Sequence, residues 1–144
     1  MTESGYTDFL FVYGTLLRDA NHPKSPILEG FGTYLNRATF WGKLYDVGTY
    51  PAVIASAQKR NKIFGELYKL NDPERAFNAL DTYEGYFPTN NEESDYTRKE
   101  VTVYTLKEKK ALKAWIYLYN KSINGFSPIP SGDYIEYLRS RSSE

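Results

Sequence analysis

The chain has 144 residues, of which 41% are hydrophobic and 17% aromatic, so we expect one globular domain spanning residues 1–144. Lysine and arginine together number 18, as do aspartate and glutamate, and the resulting zero net charge argues against a nucleic-acid-binding surface. There is no cysteine, which excludes disulfides, thiolate nucleophiles and thiolate zinc sites.

Other classes of protein are disfavoured by sequence patterns. No run approaches the ~18 apolar residues of a membrane span, and the N-terminus lacks the basic and apolar segments of a secretory signal. The single histidine, His22, lies in a polar loop, which argues against a Ser-His-Asp triad, and no Asp, Glu or His group has metal-ligand spacing. We therefore expect a soluble, cytoplasmic protein without a metal site. The sequence does not indicate the oligomeric state.

The first half of the chain is rich in β-favouring residues. Strands are predicted over residues 9–16, 34–45, 50–54 and 62–70. Residues 17–33 contain several Pro and Gly residues and are predicted to be mainly loop. Gly65 lies inside a predicted strand, which indicates either a bulge or a close backbone approach.

The second half begins with a well-marked helix over residues 72–84. Asp72 is its predicted N-cap, Pro73 occupies the first helical position, and Gly85 follows its end. The later elements are a β-hairpin of residues 99–106 and 111–119, and a short helix, Asp133–Arg139, capped by Ser131. Together these elements predict an α+β domain with a mostly antiparallel, barrel-like sheet.

The first strand runs into a turn at Tyr13, Gly14, Thr15 and Leu16. A glycine turn at a strand end exposes backbone N–H groups with no side chain in front of them. Such a turn can hold a carboxylate or an oxyanion. On its own, Tyr-Gly-Thr-Leu is a weak signal.

Glu84 lies on the same helix face as Phe77 and Leu80, at spacings of seven and four residues. A glutamate that points inward must be paired, protonated or facing a cavity. Burial would raise its pKa towards the range useful for a general base. The alternative is that Glu84 lies at a frayed helix end, where it reaches water or pairs with Arg98 or Lys43.

Three further carboxylates, Glu92, Glu93 and Asp95, fall within a polar stretch. We interpret this stretch as a solvated loop. The 14 tyrosines are interpreted as β-formers with half-buried rings rather than as ligand contacts.

Five motifs occur in a characteristic order: Val12–Leu16, Tyr50–Ala52, Leu80–Gly85, Tyr96–Arg98 and Ala114–Tyr117. In this order and spacing they resemble the gamma-glutamylcyclotransferase-like superfamily, most closely its AIG2-like, gamma-glutamylamine cyclotransferase branch. The resemblance extends over nearly the whole chain, and the Tyr-Gly-Thr-Leu and Asp-x-x-Glu-Gly pair is its most specific part.

This resemblance implies an α+β fold, in which a twisted, mostly antiparallel β-barrel is accompanied by one main helix carrying the catalytic glutamate, Glu84. It implies that Tyr13, Gly14, Thr15 and Leu16 bind the glutamyl part of a small substrate. The implied reaction releases 5-oxoproline and an amine without a metal or cofactor. Two polar loops, 22–26 and 89–95, depart from the family pattern and leave substrate choice open.

Two alternatives to an enzyme remain open at this point. One is a non-catalytic module of the same fold that binds a small ligand. The other is a tyrosine-rich domain that stacks on single-stranded nucleic acid, which the zero net charge disfavours. Glu84 favours the enzyme, because a pure binding protein has little reason to bury a carboxylate.

Overall fold

The computed structural model of the protein describes residues 7–14, 16–17, 25–48, 50–56, 58, 61–87 and 89–142. Its strands are β1 (Phe9–Val12), β2 (Gly32–Asp46), β3 (Pro51–Ala55), β4 (Lys62–Leu70), β5 (Tyr96–Thr105), β6 (Ala111–Tyr119) and β7 (Ser127–Pro128). Its α-helices are α1 (Pro73–Glu84) and α2 (Tyr134–Ser142), and 3-10 turns occupy Ser25–Gly30 and Asn91–Glu93. None of the helices in these ranges is long and apolar enough to span a membrane.

Five strands close into a barrel in the order β2-β4-β1-β6-β5, with β5 returning to β2 at Ala38 and Thr39. All of these pairings are antiparallel except that of β1 with β6. The 15-residue strand β2 also pairs with β3 and β7, which extend the sheet beyond the barrel. The predicted α+β fold, with a mostly antiparallel barrel and one main helix, is confirmed.

Several predicted elements have different ends from those expected, and hydrogen bonds explain two of the differences. The first strand stops at Val12 rather than at residue 16, because the Leu17 amide donates to the Gly14 carbonyl at 2.9 Å and turns the chain. The last helix is capped by Asp133 rather than Ser131, since the Glu136 amide donates to Asp133 Oδ1 at 3.1 Å.

Helix α1 is held at both ends as its sequence predicts. At its start, Asp72 Oδ1 accepts from the Arg75 amide at 3.3 Å. At its end, Gly85 has φ = 70°, and its amide donates to the Thr82 carbonyl at 3.2 Å. The Tyr86 amide donates to the Asp81 carbonyl at 2.8 Å, which completes a Schellman cap. This cap fixes the last turn of the helix and the position of Glu84 within it.

The barrel interior and the inner face of α1 form one apolar core. The buried residues of α1 are Ala76, Phe77 and Leu80. Phe77 packs edge-on against Trp115 of β6, with 5.6 Å between the ring centres. Burial of a large apolar side chain such as Phe77 or Leu80 contributes roughly 1.5–3 kcal/mol to the free energy of unfolding. These side chains therefore anchor α1 to the barrel.

Gly65 allows β4 to pass close to the end of β1. A Cβ atom at this position would lie 2.2 Å from the Val12 carbonyl oxygen and 2.7 Å from Phe11 Cζ. Of the two sequence interpretations, the close approach is therefore correct. The pairing of β4 with β2 does contain a register shift, but it lies between Tyr34 and Asn36 of β2 and not at Gly65. The end of β1 leads directly into the Tyr13–Leu16 turn.

Replacing Gly65 by alanine should destabilise the protein, because the new methyl group would collide with backbone as well as with a ring. We expect the free energy of unfolding to fall by at least about 2 kcal/mol. Gly30→Ala is the matched control, since a Cβ there meets nothing within 4 Å. Urea denaturation of both variants measures the difference, and equal midpoints would contradict the assigned contact.

Candidate active site

A cavity of about 310 Å³ brings together the turn after β1 and the end of α1. Its lining residues are Phe11, Val12, Tyr13, Gly14, Leu16, Tyr50, Pro51, Thr82, Tyr83, Glu84, Gly85, Asp95, Tyr96 and Tyr117. The cavity thus brings together candidate residues from two motifs. It is lined by Tyr13, Gly14 and Leu16 of the first motif and by Glu84 of the second. Thr15 lies outside the described residues.

The turn after β1 is anchored by buried side chains. Tyr13 and Leu16 are 7% and 3% exposed. The Tyr13 hydroxyl donates to the Tyr117 carbonyl at 2.5 Å, which joins the turn to β6 across the cavity floor. Because the Leu17 amide also closes onto the Gly14 carbonyl, the backbone of this turn is fixed from both sides.

The glycine in this turn also makes room for a proline from another strand. A Cβ at Gly14 would lie 2.7 Å from Pro51 Cγ, so the missing side chain makes room for the proline ring. The Pro51 carbonyl in turn accepts the Tyr96 hydroxyl at 2.7 Å. The Tyr-Pro-Ala motif therefore packs against the Tyr-Gly-Thr-Leu motif and fixes Tyr96 beside it.

Glu84 is half-buried at the C-terminal end of α1, and it lines the cavity. Among the described residues, no hydrogen bond or ion pair reaches its carboxyl group. Burial, and secondarily the negative charge of Asp81, raises its pKa from 4.5 to about 8. Phe77 and Leu80, which share its helix face, point into the core rather than into the cavity.

Arg98, one of the expected alternative partners of Glu84, is bound to Asp81 instead. Its Nε and Nη2 atoms donate to the two Asp81 carboxylate oxygens at 2.9 and 3.2 Å. The guanidinium group also lies 3.9 Å from the centre of the Phe77 ring and 4.8 Å from that of Trp115. These contacts hold Arg98 in place and keep its charge on Asp81.

Asp81 has a third contact, which connects it to the cavity wall. The Tyr117 hydroxyl donates to Asp81 Oδ1 at 2.6 Å. Tyr117 also receives the Tyr13 hydroxyl on its backbone carbonyl. A continuous set of contacts therefore connects Arg98, Asp81 and Tyr117 to the turn after β1.

Three tyrosines near Glu84 have pKa values well above the usual range. Burial is the main cause for Tyr13, Tyr96 and Tyr117, and the charge of Glu84 contributes to each. These phenols are therefore protonated at neutral pH. They can donate hydrogen bonds but cannot serve as bases. Among the described lining residues, the candidate bases are therefore the carboxyl groups of Glu84, which is half-buried, and Asp95, which is exposed.

Sequence analysis missed several cavity residues, among them Asp95. Asp95 was interpreted as part of a solvated loop, and it is indeed exposed, as are Glu92 and Glu93. The Asp95 amide, however, donates to the Gly85 carbonyl at 2.9 Å, which draws this residue back to the end of α1. No local pattern signals this long-range contact. Tyr96 was quoted only as part of a motif, and its hydrogen bond to Pro51 depends on the fold.

Within the ranges that the structure describes, no group of three or more His, Cys, Asp or Glu side chains is arranged to hold a metal ion. The cavity contains carboxyl, phenol and backbone groups. These groups can bind a small polar molecule and transfer protons.

Comparison with known proteins identifies the family. The family model described as gamma-glutamyl cyclotransferase, AIG2-like, matches residues 10–136. The chain therefore belongs to this family. A protein of Halalkalibacterium halodurans, provisionally named a gamma-glutamylcyclotransferase, is 33% identical over 122 residues, which cover 81% of this chain and 98% of the relative.

Solved structures share the fold. YkqA from Bacillus subtilis is 26% identical with a TM-score of 0.72, over 96% of this chain and 44% of YkqA. The chain thus spans less than half of that protein. An AIG2-like protein from Mus musculus is 20% identical with a TM-score of 0.68, over 90% of this chain and 88% of the mouse protein.

Asp81→Asn should lower the pKa of Glu84, because it removes the neighbouring negative charge and frees the positive charge of Arg98. The pKa should stay above 4.5, since burial is the larger cause of the shift. A ¹³C NMR titration of the Glu84 carboxyl group measures the change. Glu74→Gln, at the exposed start of the same helix, is the control. An unchanged pKa in Asp81→Asn would contradict the assigned coupling.

Proposed function

We propose that the protein is a gamma-glutamyl cyclotransferase, which acts on a gamma-glutamylamine or gamma-glutamyl amino acid and releases 5-oxoproline and an amine. The observation that carries this proposal is the Glu84 carboxyl group, which has no partner among the described residues and lines the same cavity as Tyr13, Gly14 and Leu16. Membership of the gamma-glutamyl cyclotransferase, AIG2-like family supports an enzyme of this kind.

The reaction requires a base but no side-chain nucleophile. The substrate carries its own nucleophile, the α-amine, which attacks the γ-amide carbonyl and closes a five-membered lactam. Holding the substrate folded makes this attack intramolecular, which can contribute several kcal/mol. The new C–N bond forms at the carbonyl carbon of the γ-amide, and the bond from that carbon to the leaving amine breaks.

Glu84 would move the protons that this exchange requires. Between the substrate α-ammonium and the lactam, the attacking nitrogen loses two protons, and the leaving nitrogen gains two to become an ammonium. The Glu84 carboxylate takes each proton from the first nitrogen and gives it to the second. A pKa near 8 suits both halves of this relay at neutral pH.

The turn after β1 would hold the glutamyl part of the substrate. Its fixed backbone offers the N–H groups of Gly14 and Leu16 for the α-carboxylate or for the oxyanion. Tyr13 and Leu16 form buried walls beside it. The assignment of Thr15 to the same role rests on the family resemblance.

Glu84→Gln should reduce kcat/KM at least about 100-fold, because glutamine keeps the size of the side chain but cannot relay protons. Release of 5-oxoproline from a panel of gamma-glutamyl compounds measures the effect, with Glu74→Gln as the control. Near-normal turnover by Glu84→Gln would contradict the assigned base. If the wild type binds these compounds but releases no 5-oxoproline, the protein is a binding module instead.

The pH profile tests the same residue independently. For the wild type, kcat/KM should rise with pH, reach half its maximum near pH 8 and level off above it, since only the ionised Glu84 accepts a proton and this profile reports the free enzyme. Asp81→Asn should move the rising limb to lower pH. If the residual kcat/KM of Glu84→Gln still rose with pH over the same range, a group other than Glu84 would be responsible for the pH dependence.

A further inference from the structure

We propose that the mouth of the cavity is a cation-binding subsite, made by Asp95 and a row of aromatic rings, which selects leaving amines that carry a second protonated amino group and no carboxylate. This inference rests on the proposed function and specifies its substrate class. The leaving group of such a substrate is a short aliphatic diamine.

The row of rings leads outward from the cavity. Tyr50 and Tyr96 line the cavity, and their ring centres are 6.3 Å apart. Tyr119 follows at 5.4 Å from Tyr96, and Phe126 at 6.4 Å from Tyr119. Tyr50 and Phe126 remain 44% and 37% exposed. Aromatic faces at a solvent-accessible mouth attract cations and also pack against an aliphatic chain.

Asp95 supplies a negative charge at the same place. Its carboxylate lies beside Gly85, with Oδ2 at 3.1 Å from the position that a Cβ there would occupy. After burial, the charge of Asp95 is the next cause that raises the pKa of Tyr119, and it contributes at Tyr96 as well. Among the residues with described positions, none donates a hydrogen bond or forms an ion pair with this carboxylate.

The charges of the lining favour a cation over an anion. The described lining residues include two carboxyl groups, Glu84 and Asp95, and no lysine, arginine or histidine. Lys121, which contacts the same loop, donates its ammonium group to the Glu92 carbonyl at 2.7 Å. Arg98 is bound to Asp81. A leaving group that bears a carboxylate would therefore meet repulsion from Asp95, with no cation among the described lining residues to offset it.

The spacing suits a short diamine. Adjacent Cα atoms are about 3.8 Å apart, so the contact of Asp95 with Gly85 places its carboxylate within about 9 Å of the Glu84 backbone. A γ-amide nitrogen at Glu84 and a distal ammonium group at Asp95 can then be joined by a few methylene groups lying along the rings of Tyr50 and Tyr96.

Three substrates of matched length separate charge from size: gamma-glutamyl-1,4-diaminobutane, gamma-glutamyl-n-pentylamine and gamma-glutamyl-4-aminobutyrate. We expect kcat/KM to be about tenfold higher for the first than for the second, as an ion pair assisted by aromatic rings would give. The third should be the poorest. Equal values for the first two, or a preference for the third, would overturn the subsite.

Asp95→Asn tests the residue, with Glu93→Gln as a matched loss of an exposed carboxylate in the same loop. The ratio of kcat/KM for the diaminobutane substrate to that for the pentylamine substrate should fall about tenfold in Asp95→Asn. The ratio should be unchanged in Glu93→Gln. A ratio that Asp95→Asn leaves at the wild-type value would assign the selectivity elsewhere and overturn the proposal.

A binding measurement separates failure of the subsite from failure of the proposed function. In an NMR titration, free 1,4-diaminobutane should shift the resonances of Tyr50 and Tyr96 in the wild type and not in Asp95→Asn. Such binding without turnover of any substrate would retain the subsite and refute the enzyme. Turnover without Asp95-dependent diamine binding would retain the enzyme and refute the subsite.

Discussion

The bidentate ion pair between Asp81 and Arg98 is the contact on which the candidate site depends. It engages the guanidinium group that would otherwise be available to neutralise Glu84, one turn further along the same helix. The paired Asp81 also receives the Tyr117 hydroxyl, which connects α1 to β6. Glu84 is thereby left with a raised pKa in a cavity whose other acidic groups near it are mostly phenols that remain protonated.

The closed barrel explains how two motifs about seventy residues apart meet. The parallel pairing of β1 with β6 and the antiparallel pairing of β1 with β4 fix the end of β1. The Schellman cap at Gly85 fixes the end of α1. Since both ends face one cavity, the position of Glu84 relative to the Tyr13–Leu16 turn is determined by backbone contacts rather than by flexible side chains.

Local patterns predicted most of the fold and selected two segments that the structure brings to one cavity. Helix α1 was predictable because Asp72, Pro73 and Gly85 act within one or two turns of it. The inward direction of Glu84 followed from helix periodicity alone. The close packing of Pro51 against Gly14 was not predictable, because Pro51 belongs to another strand and lies far from Gly14 in the sequence. Asp95 was missed for the same reason, since a single backbone hydrogen bond to Gly85 returns it to the cavity.

The central claim, that Glu84 is half-buried with no partner among the described residues and has a raised pKa, is tested most directly by the pH dependence of stability in the wild type and in Glu84→Gln. The folded protein keeps the Glu84 proton up to about pH 8, whereas the unfolded chain releases it near pH 4.5. Between these values the free energy of unfolding of the wild type should therefore fall relative to the variant, by up to about 1.4 kcal/mol per pH unit. Glu84→Gln should be the more stable protein at pH 8.5. Parallel stability curves from pH 5 to pH 8.5 would contradict the account.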